Sequence, residues 1–244
     1  MLLELDAISK IFDSGTVALE GVSLQVAEGE LLSLVGPSGC GKSTLLRLIA
    51  GLIQPTAGSV SFAGGKPETA FVFQEPTLMP WADVLTNARL ALDLEHVPRR
   101  EGEARAAAAL ARAGLKGFEH AYPRELSGGM KMRVSIARAI AARPRLLLMD
   151  EPFAALDEPA RQALNDDLLG LWREDGLTIV FVTHSIYESA YLSTRVVVMG
   201  ARPGRVLDDI ALDQPFPRDE RHRFTPQFAA AAAKIAAAIK EKAG

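Results

Sequence analysis

Apolar and polar residues alternate along two early segments of the chain, 2–11 and 17–26, which an Asp-Ser-Gly turn signal at 13–15 separates. Alternation is typical of strands with one buried face, so this pattern predicts two β-strands joined by a turn. A short apolar run at 30–35 predicts a strand buried in a parallel sheet. The apolar residues of 42–51 then recur at the spacing of a helix.

The middle of the chain has a different pattern, because 76–143 is rich in alanine and arginine and has helical periodicity. Continuous apolar runs return at 146–149 and 178–182, with a helix-like segment at 157–175 between them. Two such runs joined by a helix predict a strand–helix–strand unit of a parallel sheet. The chain is therefore expected to be an α/β protein with a helical middle segment.

The last part of the chain is predicted to close the sheet and end in a helix. Apolar runs at 196–199 and 205–207 flank a Pro-Gly turn and predict a pair of strands. From 225 to 244, alanines with spaced lysines predict a helix packed on the domain; a membrane-binding or partner-binding helix is the weaker alternative. Three histidines in polar segments are predicted to lie on the surface without a role: His96, His120 and His222.

Composition narrows the classes of function. The 244 residues have a formal net charge of −3, which argues against a nucleic-acid partner bound by a broad basic field. The single cysteine, Cys40, excludes an intramolecular disulfide and fits a reducing compartment. No apolar stretch approaches the ~20 residues of a membrane-spanning helix. A cytoplasmic protein without a membrane span of its own is expected.

The strongest chemical motif is G-x-x-x-x-G-K-S, which stands between the strand predicted at 30–35 and the helix predicted at 42–51. Glycines let successive N–H groups turn toward an anion, and the helix start adds its positive dipole end. Lys42 would place its charge at the β- and γ-phosphates, and the Ser43 hydroxyl would bind Mg²⁺. The alternative is a glycine-rich turn without a ligand. Nucleotide binding is predicted for Gly36, Pro37, Ser38, Gly39, Cys40, Gly41, Lys42, Ser43 and Thr44.

Two carboxylates, Asp150 and Glu151, directly follow the apolar run at 146–149. The carboxyl ends of parallel strands form the edge where open α/β sheets bind ligands. Asp150 therefore suits a Mg²⁺ shell, and Glu151 suits polarising a water for attack on a γ-phosphate. The alternative is an ordinary acidic loop. A glutamate beside the aspartate favours hydrolysis over phosphoryl transfer to another hydroxyl.

A second helix start offers N–H groups to an anion. Ser127 is a suitable N-cap, and Gly128 and Gly129 leave the backbone accessible before a helix predicted at 131–142. The alternative is a helix that is simply capped, and on capping chemistry alone this alternative is favoured.

Six motifs resemble, in the same order, those of the ATP-binding cassette ATPases of ABC transporters. The resemblance extends from about Leu2 to Arg205. One such motif is fallible, but six in order are specific. They are the Walker A loop 36–44, the Q-loop Gln74, the signature 126–130, the Walker B pair 150–151, the D-loop 155–157 and the switch histidine His184.

The resemblance implies a head-to-tail homodimer of ATPase subunits that sandwiches two ATP molecules. Ser127, Gly128 and Gly129 would then contact the γ-phosphate bound by the partner chain, and Asp157 would also lie at that nucleotide. This arrangement would explain why one chain has two candidate anion sites.

The resemblance also implies the catalytic roles. Gln74 would contact Mg²⁺ or the attacking water and sense the membrane subunit, and His184 would hold the γ-phosphate and order Glu151. Lys42 completes the predicted catalytic set. Phe12 stands where the family has an aromatic ring stacked on adenine; a buried core phenylalanine is the alternative.

The implied fold is α/β, a P-loop ATPase core of the ABC type with an N-terminal antiparallel β subdomain and an inserted α-helical subdomain. It predicts one domain over 1–244. Residues 1–75 and 144–210 would form the RecA-like core with the β subdomain, 76–143 the helical subdomain and 211–244 a helical tail.

Details of the motifs resemble a narrower group, the ATPases of nitrate, sulfonate and taurine importers. These are Met130 where glutamine is usual, Ser185 where aspartate is common, and Trp81. The implied function is ATP hydrolysis with Mg²⁺ that drives import of a small solute. The implied partners are membrane permease subunits and, indirectly, an extracytoplasmic solute-binding protein, which places the chain peripherally at the cytoplasmic face of the membrane.

Two other classes fit less well. ABC ATPases of DNA repair or chromosome maintenance would show a long coiled coil between Gln74 and Ser127, and translation factors usually have two cassettes. A P-loop small-molecule kinase would leave the signature segment and His184 unexplained.

Overall fold

The computed structural model describes residues 1–242, so residues 243 and 244 of the predicted tail lie outside the described part. Within it the chain forms nine strands and seven α-helices. The strands are β1 (Leu3–Ile11), β2 (Val17–Val26), β3 (Leu31–Val35), β4 (Ala57–Phe62), β5 (Thr69–Val72), β6 (Leu146–Asp150), β7 (Thr178–Val182), β8 (Arg195–Gly200) and β9 (Arg205–Ala211). The helices are α1 (Lys42–Ala50), α2 (Val84–Leu94), α3 (Arg99–Arg112), α4 (Gly128–Ala141), α5 (Glu158–Asp175), α6 (Ile186–Leu192) and α7 (Pro226–Lys242).

The first sheet is antiparallel, with strand order β2-β1-β4. Val22, Leu24 and Val26 are buried while the residues between them are exposed, which is the alternation of a sheet with one covered face. The antiparallel β structure predicted for the N-terminal part is confirmed.

The second sheet has the order β5-β6-β7-β3-β8-β9. Its first five strands are parallel neighbours and β9 pairs antiparallel with β8. All residues of β3, β6 and β7 are buried, because helices and the first sheet cover both faces. The strand–helix–strand unit β6-α5-β7 and the closing pair β8-β9 agree with the sequence prediction.

Helices α2, α3 and α4 follow β5 and precede β6 in the sequence, and they pack on one another. Their shared apolar residues include Val84, Leu92, Leu110 and Met132. Helix α4 begins at Gly128, three residues before its predicted start, because the Ser127 hydroxyl accepts from the Met130 N–H and so caps the chain there. The predicted division at 76, 144 and 211 stays a prediction.

The C-terminal segment packs on the core through Phe228, Ile235 and the small faces of the alanines of α7. The prediction of a surface His222 is wrong: the residue is only 7% exposed. Its Nε2 lies 2.7 Å from Gln214 Oε1, while Gln214 Nε2 donates to the Ala190 carbonyl. Because that oxygen of Gln214 accepts, Nε2 of neutral His222 is the donor.

No helix among residues 1–242 combines the length and the hydropathy that a membrane crossing requires.

Candidate nucleotide site

The predicted site lies at the carboxyl ends of three central parallel strands. Strand β3 ends before Gly36, β6 ends at Asp150 and β7 ends before Thr183. Because β6, β7 and β3 are adjacent and parallel, the Walker A loop, the acidic pair and the switch histidine meet at one sheet edge.

Two glycines of the loop are required by their surroundings. Gly36 has φ 151°, and a Cβ there would be 2.3 Å from the Met199 carbonyl oxygen. Gly41 has φ 93°, and a Cβ there would be 2.6 Å from Leu19 Cδ2. Side chains at these two positions would therefore prevent the tight backbone turn that can cradle an anion.

Lys42 is 4% exposed. Its ammonium donates to the carbonyls of Gly36 at 2.9 Å and Pro37 at 3.0 Å. The ammonium also lies 3.7 Å from Cys40 Sγ, and its charge opposes the rise in the pKa of Asp150. A buried cation held mainly by carbonyl dipoles suits a site that receives a strongly anionic group.

A cleft of about 560 Å³ opens over the loop. Its lining includes Gly41, Lys42, Ser43, Glu151 and Arg202. The predicted phosphate-binding residues Lys42 and Ser43 and the predicted base Glu151 thus line one cavity.

Ser43 and Asp150 are joined by a hydrogen bond between their side chains. The Ser43 hydroxyl donates to Asp150 Oδ1 at 2.7 Å. Burial raises the pKa of Asp150 above its ordinary value, and the Ser43 hydrogen bond opposes that rise. A hydroxyl beside a carboxylate is a donor set that suits Mg²⁺, whose shell is commonly completed by waters and substrate phosphates. Residues 1–242 hold no cluster of three or more His, Cys, Asp or Glu arranged for a metal.

Glu151 and His184 form the second contact at this edge. His184 Nδ1 is 3.3 Å from Glu151 Oε2. Glu151 has φ 47°, and its N–H donates to the Val182 carbonyl at 3.0 Å. A glutamate in the left-handed region is uncommon, and such strain is frequent at functional sites.

The signature segment lies away from this cleft. Ser127 and Gly128 are exposed, and neither lines the cavity over the Walker A loop. The structure therefore does not bring the two anion sites of one chain together. The role of Ser127, Gly128 and Gly129 at a partner's nucleotide stays a prediction.

Three further predicted residues are not among those that line the cleft over the Walker A loop. Gln74 is exposed and follows β5, the neighbour of β6. Asp157 caps α5, where its Oδ1 accepts from the Ala160 N–H at 2.9 Å. Phe12 is 38% exposed, so the alternative of a buried core phenylalanine is wrong. Their contacts with nucleotide remain predictions.

Arg202 is a lining residue that the sequence analysis did not assign to the site. It has φ 47° and lies in the turn between β8 and β9. That turn meets the Walker A loop, because a Cβ on Gly204 would be 2.1 Å from the Cys40 carbonyl oxygen. The only sequence signal was the Pro-Gly turn itself.

The fold and the edge site together define a P-loop ATPase of the ATP-binding cassette class. A model of the ABC transporter family matches residues 19–154. An uncharacterized ABC transporter ATP-binding protein of Methanocaldococcus jannaschii is 47% identical over 225 residues, 89% of this chain and 84% of that protein. A taurine import ATP-binding protein, TauB of Yersinia pestis, is 44% identical over 204 residues, 82% of this chain and 80% of that protein. The chain belongs to the ABC transporter family, as an ATP-binding, ATP-hydrolysing subunit.

Solved structures agree with this assignment. The ATP-binding cassette MJ0796, a dimer in a post-hydrolysis state with ADP and Pi, is 33% identical with a TM-score of 0.78. The match covers 88% of this chain and 100% of that one. The protein cbiO1 from Clostridium perfringens, part of an ABC transporter complex, is 26% identical, and its structure matches with a TM-score of 0.79. This match covers 96% of this chain and 94% of that one. The fold prediction is confirmed.

Proposed function

We propose that this chain is the ATPase subunit of an importer for a small anionic or zwitterionic solute of the nitrate, sulfonate and taurine class. The meeting of the Ser43–Asp150 and Glu151–His184 contacts at one sheet edge supports hydrolysis. The solute class is supported by the 44% identity to a protein named for taurine import and by Met130, Ser185 and Trp81.

In the proposed mechanism the N–H groups of the loop 36–44 and the ammonium of Lys42 hold the phosphates of ATP. Ser43 and Asp150 would hold Mg²⁺, with Gln74 contributing from the neighbouring strand. Bound there, this ion neutralises phosphate charge. Glu151 orients and polarises the attacking water, and its 3.3 Å contact with His184 helps to keep the carboxylate directed into the cleft.

The working unit is proposed to be a head-to-tail homodimer. Ser127, Gly128 and Gly129 of one subunit would contact the γ-phosphate held by Lys42 of the other, and Phe12 would stack on the adenine. Two observations support this: the signature segment is exposed away from its own cleft, and the related cassette MJ0796 is a dimer. ATP would then favour the closed dimer, and hydrolysis would remove that preference.

The permease is proposed to dock beside Gln74. Trp81 is 77% exposed and Leu94 is 73% exposed, large values for apolar side chains that fit a protein contact. The chain would therefore sit at the cytoplasmic face of the membrane, and a solute-binding protein outside would act on it only through the permease.

Reconstitution tests this proposal. The chain is co-expressed with a candidate permease, purified as a complex and placed in liposomes with a candidate solute-binding protein. ATP-dependent uptake of labelled taurine, an alkanesulfonate or nitrate is expected, and Glu151→Gln should abolish it. Uptake of none of the three, with ATP hydrolysis intact, would contradict the solute class while leaving the ATPase assignment in place.

A further inference from the structure

A buried carboxylate, Glu188, lies on α6, four residues after the switch histidine. Its side chain is 8% exposed. Burial raises the pKa of Glu188, and the Thr183 hydrogen bond and the charge of Arg161 oppose that rise. Burying a carboxylate is costly unless hydrogen bonds and an opposite charge offset it. Glu188 has both kinds of partner: Thr183 lies beside the switch histidine, and Arg161 on α5 contacts residues 156 and 157.

The first partner belongs to the switch segment, residues 183–185. The Thr183 hydroxyl donates to Glu188 Oε2. The same hydroxyl oxygen accepts from the Ser185 N–H at 2.9 Å, and the Ser185 hydroxyl accepts from the Glu188 N–H at 3.2 Å. Glu188 is therefore bonded to the residues on both sides of His184.

The second partner reaches the D-loop segment, residues 155–157. Arg161 Nε is 3.6 Å from Glu188 Oε1. The guanidinium also donates to the Leu156 carbonyl at 2.9 Å, and the Arg161 N–H donates to the Asp157 carbonyl at 3.0 Å. Arg161 has another acidic neighbour, Glu158, but that side chain is 63% exposed, so solvent screens the pair.

We infer that Glu188 is a positioning residue that joins the switch segment to the D-loop segment through Arg161. The inference rests on the proposed roles of Glu151 and His184. Movement of the switch segment changes the 3.3 Å contact of His184 with Glu151. Neither Glu188 nor Arg161 lines the Walker A cleft, so the link acts on the hydrolytic geometry and not on the hold on ATP.

The test compares Glu188→Ala, Arg161→Met and the double variant in steady-state ATP hydrolysis. Each single variant is expected to lower kcat by about tenfold or more, because small misplacements of catalytic groups are costly. The KM for ATP is expected to stay within about twofold. The double variant should be no slower than the slower single variant, because both substitutions break one link. Glu188→Gln keeps an acceptor for Thr183 and should regain part of the loss.

The chain offers a matched control in Glu30. Its side chain is 11% exposed, lies 3.2 Å from Arg195 Nη1 and accepts from the Ala27 N–H at 2.7 Å. Glu30 precedes β3, however, and so lies at the opposite edge of the sheet. Glu30→Ala should lower the melting temperature as Glu188→Ala does and leave kcat unchanged.

Equal losses of kcat in Glu30→Ala and Glu188→Ala, or additive losses in the double variant, would overturn the inference. If Glu188→Ala does not fold, Glu188→Gln and Arg161→Met provide the test instead. The inference again predicts a lower kcat with a nearly unchanged KM for ATP. A failure of the proposed catalytic roles can be distinguished from a failure of this inference, because in that case Glu151→Gln would hydrolyse ATP at the normal rate.

Discussion

The Ser43 hydroxyl donates a 2.7 Å hydrogen bond to Asp150 Oδ1 across 107 positions of sequence. Ser43 lies in the first turn of α1, and Asp150 is the last residue of β6. The bond joins the loop that is proposed to hold phosphates to the acidic edge that would hold a metal. The two oxygens are thereby held beside each other, as a pair of ligands that would suit a Mg²⁺ shell.

Asp150→Asn should weaken metal binding. The amide keeps the shape and loses the negative charge, so the affinity for Mn²⁺, used as a spectroscopic substitute in the presence of ATP, should fall by about tenfold or more. Asp167→Asn is the control, since Asp167 is also a partly buried carboxylate whose pKa burial raises, but it pairs with Arg133 on α4. Unchanged Mn²⁺ affinity in Asp150→Asn would contradict the metal site.

Lys42→Ala should weaken ATP binding by about tenfold or more, because a charge-assisted contact with phosphate contributes roughly 1.5–3 kcal/mol. Calorimetric titration with ATP measures this. Lys66→Ala is the matched control: Lys66 also donates to a backbone carbonyl, that of Ala50 at 2.9 Å, but it is exposed and outside the cleft. Equal affinities of the Lys42 and Lys66 variants would show that the loop does not bind the nucleotide as described.

Glu151→Gln should separate binding from turnover. Loss of the carboxylate removes the group that polarises water, so kcat should fall by about 10²- to 10⁴-fold, while ATP affinity stays near that of the native chain. Without hydrolysis, ATP should hold the variant as a dimer in size-exclusion chromatography. Glu28→Gln, at an exposed residue paired with Arg145, should hydrolyse ATP normally and elute as the native protein does.

Acid should destabilise the fold through His222. Burial lowers its pKa below the ordinary value of 6.5, and the charge of Arg218 adds to that effect. As the pH falls through about 6.5, the unfolded chain binds a proton that folded His222 does not, so stability decreases. His222→Gln should reduce the drop in melting temperature between about pH 7.5 and about pH 5.5. The exposed His96→Gln should leave the drop unchanged; a drop of native size in His222→Gln would contradict the assignment.

Local signals explain why much of the site was predictable. The cap at Ser127, the apolar run that ends at Asp150 and the glycines of the Walker A loop each act within a few residues, so their sequence pattern and their structure coincide. The prediction that His222 lies on the surface was wrong because its polar neighbours along the chain suggest exposure. Its burial comes from Gln214 and from α6 and α7, which pack around it only in the folded chain.

The same limit applies to Glu188 and Arg202. Glu188 reads as an ordinary polar position of a short helix, and its partner Arg161 lies on another helix. Arg202 enters the cleft only because the β8–β9 turn packs on the Walker A loop. Contacts between distant segments are set by tertiary packing, which no local pattern of residues encodes.

The shared nucleotide site is tested most directly by mixing two inactive variants, Ser127→Arg and Lys42→Ala, and measuring ATP hydrolysis. In a head-to-tail dimer the mixed pair has one intact site, made of Lys42 from one chain and Ser127 from the other. Random pairing then predicts recovery of up to about a quarter of the native rate, because half of the dimers are mixed and each has one of two sites. A mixture as inactive as its components, with mixed dimers shown to form, would contradict the shared site.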